Sequence, residues 1–181
     1  MLLLIPLLFL SCTSDNSVEI IPVFNNLLLN STFEENGQPS FQRWNTYNAD
    51  SSSVIFVRTA PTHGGTYSIG LKNQWTIPGR ISYSISGITG THIYKFSIWE
   101  RGFSELGFST PGQMALSVLH GDIHTYGNSL SFSDSVWANK ILLDTLTTSA
   151  SDTILVSIGG SWSQWATGYH LIDLCRLEII E

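Results

Sequence analysis

Charged residues are scarce in this chain. Only 12% of the 181 residues are Asp, Glu, Lys or Arg, about half the share that soluble domains usually carry. The formal net charge is -6, which argues against a nucleic-acid partner because a phosphate backbone attracts basic surfaces. Few charges together with 12% aromatic residues suit an extracellular β protein that meets neutral ligands.

Catalytic motifs are also missing. The sequence contains no Gly-x-Ser-x-Gly elbow and no phosphate-binding loop, and its carboxylates are too scattered to indicate an acid and base pair. His120 and His124 have a spacing of four residues, but in a predicted loop with glycine rather than on a helix. A zinc site there is the less favoured reading, and we predict that the chain is not an enzyme.

Long apolar runs are limited to the first residues. The run from Met1 ends at Cys12 and is too short to cross a bilayer as a helix. Its end, Phe9-Leu-Ser-Cys12, resembles the lipobox of bacterial lipoproteins. That resemblance implies a signal peptide over residues 1–11, lipidation of Cys12, and a lipid-anchored position in the bacterial cell envelope, at the outer membrane or cell surface. An ordinary secretory signal that is cleaved nearby is the alternative.

The second of only two cysteines is Cys175. If Cys12 carries lipid, Cys175 has no intramolecular partner. The flanking run Ile172–Leu177 predicts a buried strand, so Cys175 is interpreted as a small inert hydrophobe, with a catalytic thiol as the alternative. Residues 12–25 are polar and then mixed, and they predict a tether that leads into one domain over residues 26–181.

The domain is predicted to consist of β-strands. The central strand is Thr91–Arg101, where Tyr94, Phe96 and Ile98 alternate with polar residues and one tryptophan, Trp99. Eight further short runs separated by Gly and Ser turns predict strands near 26–30, 54–59, 67–71, 80–85, 113–118, 137–144, 153–158 and 169–180. No helical pattern stands out, so the sequence predicts an all-β sandwich.

Three segments, in this order, carry a resemblance to a known family: Asn26–Glu34 followed by Trp44, His63–Ser68 followed by the central strand, and Trp137 leading to Ile172–Leu177. Together they resemble the galactose-binding-like jelly rolls of carbohydrate-binding modules, especially families 4, 9 and 22. The resemblance covers Asn26 to Glu181. It implies a two-sheet jelly roll whose first and last strands lie close together, and a glycan or polysaccharide as partner.

The same resemblance implies a structural calcium ion near the meeting point of the first and last strands. Glu34 and Asp173 occupy the positions of its carboxylate ligands, and Ca²⁺ prefers several hard oxygens. The alternative is that both carboxylates accept hydrogen bonds from turn amides or strand ends.

A ligand surface is predicted from the polar faces of the strands. We expect Arg80, Gln113, Trp99 and Arg101 to share one surface, with Trp99 as the platform for a sugar ring. Aromatic residues predicted to lie in loops would extend this surface, because loop aromatics have less core to fill; they are Trp75, Tyr126, Trp162 and Trp165. The alternative for Trp99 is a structural side chain packed beneath a loop.

Two functions remain open on these grounds. The first is a non-catalytic carbohydrate-binding lipoprotein at a bacterial surface. The second is a protein–protein or scaffold β-sandwich module of a bacterial envelope complex. An exposed aromatic platform in a groove favours the first, and buried tryptophans beneath a flat polar face favour the second.

Overall fold

A computed structural model describes residues 26–47, 53–73, 78–104, 111–160 and 168–181. This part of the chain contains strands and turns but no helix. Accordingly, none of the described residues belongs to a helix that could span a membrane.

The strands run in chain order along the described residues. They are β1 Glu34–Glu35, β2 Gln38–Pro39, β3 Asn45–Tyr47, β4 Val54–Val57, β5 Ser68–Lys72, β6 Arg80–Ser86, β7 Gly90–Ser104, β8 Gly112–His120, β9 Ile123–Phe132, β10 Ala138–Thr148, β11 Thr153–Gly159 and β12 Gly168–Ile179.

Two five-stranded antiparallel sheets form the sandwich. Sheet I has the order β3-β6-β11-β8-β9, sheet II has the order β10-β7-β12-β5-β4, and β1 and β2 form a separate hairpin. The chain changes sheet between β6 and β7, over only three residues, so these two strands lie in different sheets although they are neighbours in sequence. The predicted all-β two-sheet sandwich is confirmed.

Alternate side chains from both sheets fill the core. Tyr94, Phe96 and Ile98 of β7 are completely buried, as the alternation of the central strand predicts. The other core positions predicted from alternation are also buried, apart from the partly buried Ile85; they are Ile81, Tyr83, Met114, Leu116 and Val118. Cys175 is a free, buried cysteine, and burial raises the pKa of its thiol.

The first segment of the domain lies beside the last strand, as the resemblance implies. The Leu27 amide donates to the Leu177 carbonyl at 2.9 Å, and the Cys175 amide donates to the Ser31 carbonyl at 2.9 Å. The Asn26 side chain joins the same edge, because its Oδ1 accepts from the Leu177 amide at 2.9 Å. Residues 26–30 are nevertheless not a strand, so that part of the strand prediction is wrong. Isolated backbone hydrogen bonds and the Asn26 side chain hold these residues beside β12, without a continuous ladder of hydrogen bonds.

Candidate functional site

The predicted ligand surface is divided between the two outer faces of the sandwich. Arg80 and Gln113 lie on β6 and β8 and therefore on the outer face of sheet I. Trp99 and Arg101 lie on β7 and therefore on the outer face of sheet II. The expectation that these four share one surface is wrong, because alternation tells which residues point outward but not which sheet a strand joins.

A groove of about 610 Å³ runs over the outer face of sheet I. Its floor consists of small side chains, including Ser82, Ala115 and Ser157, which stand directly opposite one another on β6, β8 and β11. Tyrosines stand at the two edges of the sheet, Tyr47 on β3 and Tyr126 on β9. Tyr47 is 47% exposed and Tyr126 is 78% exposed. A low floor between raised aromatic edges gives the face its concave shape.

One end of the groove carries hydrogen-bond donors. Tyr47, Arg80, Gly159 and Gln113 follow one another across four neighbouring strands. Gly159 has no side chain, and the exposed Arg80 lies over it, since a Cβ on Gly159 would be 3.6 Å from Arg80 Nε. The Gln113 amide donates to Ser129 Oγ at 3.1 Å and keeps further hydrogen-bonding capacity. This end of the groove can therefore donate and accept hydrogen bonds.

The other end of the groove carries an aromatic pair. The rings of His124 and Tyr126 lie 4.2 Å apart between centroids with an interplanar angle of 39°, and His124 Nε2 is 2.6 Å from Ser117 Oγ. Tyr126 belongs to β9, so the prediction that it lies in a loop is wrong.

A β-bulge aims Tyr126 outward. The register between β8 and β9 shifts after Ala115, so that Ser117 faces Tyr126. A bulge bends the strand that carries the extra residue and redirects its side chains. Just beyond it, the Asn128 amide donates to Asp144 Oδ2 at 2.7 Å, and this bond fastens β9 to β10. The backbone next to Tyr126 is thus held in place.

The two histidines considered for zinc have different partners. His120 Nδ1 lies 2.9 Å from Asp152 Oδ1, while His124 contacts Ser117. Within the described ranges, no group of three or more His, Cys, Asp or Glu side chains could hold a metal ion.

Trp99 lies in a second depression, on the outer face of sheet II. It is half-buried, and the depression of about 300 Å³ around it includes Lys95, Asn139 and Arg176. Arg101 follows two residues later on the same face but does not line this depression. The three remaining predicted site residues, Trp75, Trp162 and Trp165, lie outside the described residues.

Glu34 and Asp173 do come together. Asp173 has no exposed surface, and burial together with the nearby Glu34 carboxylate raises its pKa to about 8. Glu34 Oε1 accepts from the amides of Thr66 and Tyr67 at 2.5 Å each. Both carboxylates thus point towards the same turn of the chain.

The surroundings of Asp173 fit a hard cation. Its Oδ1 accepts from the Leu174 amide at 2.7 Å, whereas its buried Oδ2 has no hydrogen-bond partner among the described residues. The Gly64–Gly65 turn closes over the pair, since a Cβ on Gly64 would overlap Asp173 Oδ2. Burial and the nearby Glu34 disfavour the ionised form of Asp173, so a bound cation would be needed for both carboxylates to carry their charge here, and Ca²⁺ prefers such oxygens.

Comparisons with known proteins give the fold. No protein-family model matches the chain, and no curated protein matches it by sequence. A family 61 carbohydrate-binding module, solved in complex with β-1,4-galactotriose, is 21% identical with a TM-score of 0.56, and the match covers 86% of this chain and 99% of that one. A sugar-binding protein from Bacteroides thetaiotaomicron, described as putative, is 10% identical with a TM-score of 0.58, over 86% and 100% of the two chains. The family 22 xylan-binding domain of Paenibacillus barcinonensis Xyn10C is 15% identical with a TM-score of 0.55, over 87% and 96%.

The chain therefore has the galactose-binding-like jelly-roll fold of carbohydrate-binding modules. The sequence resemblance is confirmed at the level of fold.

Sequence reasoning missed part of the groove. Tyr47 and Ser157 were not assigned to a ligand surface, and His124 was considered only as a zinc ligand. Their signal was present, because His124 and Tyr126 alternate along a polar run, and Ser157 lies between the buried Val156 and Ile158. What was missing was the pairing of strands that brings these runs side by side.

Proposed function

We propose that this protein is a non-catalytic carbohydrate-binding module that takes an oligosaccharide in the groove of sheet I. The observation that carries this proposal is the pair of exposed tyrosines, Tyr47 and Tyr126, at opposite edges of a polar groove. Carbohydrate-binding modules among its structural neighbours, solved with galactotriose or described as xylan-binding, support a glycan as the class of ligand.

The chemistry of the groove suits a sugar chain. A pyranose ring packs its C–H face on an aromatic ring, and its hydroxyls exchange hydrogen bonds with Arg, Gln and Ser side chains. In the groove, Tyr47 and Tyr126 would supply the two rings, and Arg80 and Gln113 the polar contacts. Adjacent strands lie ~4.8 Å apart, so the two edge strands of five are separated by ~19 Å. A span of that length calls for several sugar units.

A bound calcium ion belongs to this proposal as a structural element. Glu34 and Asp173 would hold it, where it would supply the positive charge that the buried carboxylates need. It would also tie the β1–β2 hairpin to β12, because the two ligands belong to these two parts of the fold. The ion would act on stability, since Asp173 is fully buried and cannot touch a ligand in the groove.

The protein is further proposed to act at the bacterial cell envelope. Lipidation of Cys12 would anchor it, and residues 12–25 would separate the domain from the membrane. A module that displays its groove away from a surface can collect glycans from outside the cell. This part of the proposal rests on the lipobox-like sequence alone.

A protein–protein scaffold module is the second candidate. Ile141 and Leu143, next to each other on the outer face of β10, are 48% and 55% exposed. Exposed apolar side chains in a neighbouring pair are a feature of protein contact surfaces. This candidate requires no glycan ligand.

The test is a glycan screen followed by affinity measurements. Neutral plant and bacterial oligosaccharides are screened against the purified protein, and the dissociation constant of the best ligand is measured by calorimetry. Tyr126→Ala should weaken binding by about 5- to 150-fold, or about 1–3 kcal/mol, as expected for loss of a stacking anchor.

Leu143→Ala is the matched control, because it removes an exposed apolar side chain from the other sheet. It should leave the affinity unchanged. A screen without any ligand would replace the groove proposal with the scaffold candidate. Equal affinity for wild type and Tyr126→Ala would show that the glycan does not bind in the groove.

A further inference from the structure

The depression around Trp99 is a separate feature on the opposite side of the sandwich from the groove. It measures about 300 Å³, and its lining includes Lys95, Ser97, Trp99, Asn139, Arg176 and Glu178. These residues lie on the outer face of sheet II, on β7, β10 and β12. A ligand here would not touch the groove of sheet I.

A bulge in β12 shapes this depression. The register between β7 and β12 shifts between Asp173 and Arg176, opposite Trp99 and Ser97. Leu174, inside the bulge, has a φ of +48°, a left-handed conformation that costs energy in a non-glycine residue. Bulges are frequent next to functional sites, where they redirect side chains or interrupt strand pairing. The strained bulge therefore favours a functional site on this face of sheet II.

Trp99 is the aromatic residue of this depression. Its neighbours on β7, Ile98 and Glu100, are completely buried, and side chains alternate along a strand. Trp99 therefore points outward. Asn139 of β10 stands directly opposite it. A half-buried indole with an amide beside it offers both an apolar ring face and hydrogen bonds to a sugar.

The charges in the depression favour an anionic ligand. Glu178 pairs with Arg176 at 2.7 Å and with Lys95 at 3.8 Å. One carboxylate between two cations leaves a local excess of one positive charge, in a protein whose formal net charge is -6. The Arg176 side chain is 52% exposed and has five N–H donors, of which the contact with Glu178 uses only part. A guanidinium beside an aromatic ring suits a carboxylate on a ring-shaped ligand.

We propose that the depression around Trp99 is a second saccharide site, selective for a sugar unit that carries a carboxylate. Trp99 stacks on the sugar ring, and Arg176, assisted by Lys95, binds the carboxylate. The groove takes neutral chains and this site takes acidic ones, so the two sites are independent in position and in chemistry. The site does not depend on whether the groove proposal is correct.

The test uses trigalacturonic acid as the acidic probe and β-1,4-galactotriose as its neutral counterpart. Each is titrated into ¹⁵N-labelled protein, and the tryptophan indole N–H signals are followed by NMR. A conservative Trp99→Phe variant identifies the Trp99 signal. We expect trigalacturonic acid to shift that signal and galactotriose to leave it in place.

Two variants locate the binding and separate it from the groove. Arg176→Gln should weaken the binding of trigalacturonic acid at least five-fold. The substitution should not unfold the protein, because the side chain is exposed. Tyr126→Ala should leave the affinity for trigalacturonic acid unchanged. An unshifted Trp99 signal at millimolar trigalacturonic acid, or undiminished affinity in Arg176→Gln, would overturn the proposal. Equal shifts with galactotriose would overturn the selectivity for acidic sugars.

Discussion

Removal of the charge on Asp173 provides a direct test of the calcium proposal. The substitution Asp173→Asn keeps the shape of the side chain and the Oδ1 acceptor for the Leu174 amide. It takes away the second carboxyl group that a cation could bind. With its pKa raised to about 8, Asp173 is largely protonated at pH 7 when no ion is bound, so without calcium the variant should match the wild type to within about 1 kcal/mol.

The magnitude of the calcium effect follows from linkage. An ion at ~100 times its dissociation constant stabilises a protein that binds it only when folded by ~2.7 kcal/mol. For a domain of this size, each kcal/mol of unfolding free energy shifts the melting temperature by roughly 2–4 °C. Calcium should therefore raise the melting temperature of the wild type by about 5–11 °C. Asp173→Asn should lose most of that rise, because the ion would keep only one carboxylate.

Differential scanning calorimetry in EDTA and in excess Ca²⁺ measures the effect. Glu35→Gln is the matched control, since Glu35 is the exposed carboxylate beside Glu34. It should melt like the wild type in both buffers. Equal melting temperatures of the wild type with and without calcium would contradict a calcium ion at Glu34 and Asp173, as would a full calcium effect in Asp173→Asn.

Three further predictions concern other parts of the chain. Trp44 is 5% exposed, and its ring centroid lies 5.1 Å from that of Phe33. Trp44→Ala should therefore lower the free energy of unfolding, measured with urea, by about 3–5 kcal/mol. A loss below ~1 kcal/mol would contradict its position in the core. The amide of Ser149 donates a hydrogen bond to Asp152 and lowers the pKa of this carboxyl group in the folded state. The ionised Asp152 therefore stabilises the fold above pH ~4, and this contribution is lost as the pH falls through the lowered pKa. Asp152→Asn should therefore melt below the wild type at pH 7, with a difference that shrinks towards pH 3; a constant difference would contradict this. Finally, Cys12→Ser should leave an uncleaved or soluble form, and unchanged membrane fractionation would argue against lipidation.

The core was the part of the fold that alternation could predict. Tyr94, Phe96 and Ile98 point inward because a strand with one buried face must alternate, whatever its partners are. The motif resemblance added what alternation lacks, namely the two-sheet architecture and the meeting of Glu34 with Asp173.

Sheet membership could not be read from the same pattern. Trp99 and Arg80 both alternate with core residues, but a turn of three residues sends their strands to opposite sheets. The strand β9 was missed for a related reason. As an edge strand it exposes side chains on both faces, so the apolar alternation that reveals a strand is weak around Tyr126.

Amide shift mapping by NMR shows whether an oligosaccharide lies in the groove of sheet I. The best ligand of the glycan screen is added to ¹⁵N-labelled wild-type protein until saturation. We expect the largest shifts at the groove floor, at Ser82, Ser117 and Ser157, together with Gln113 and Tyr126. Shifts confined to the outer face of sheet II, with the groove floor unchanged, would contradict it.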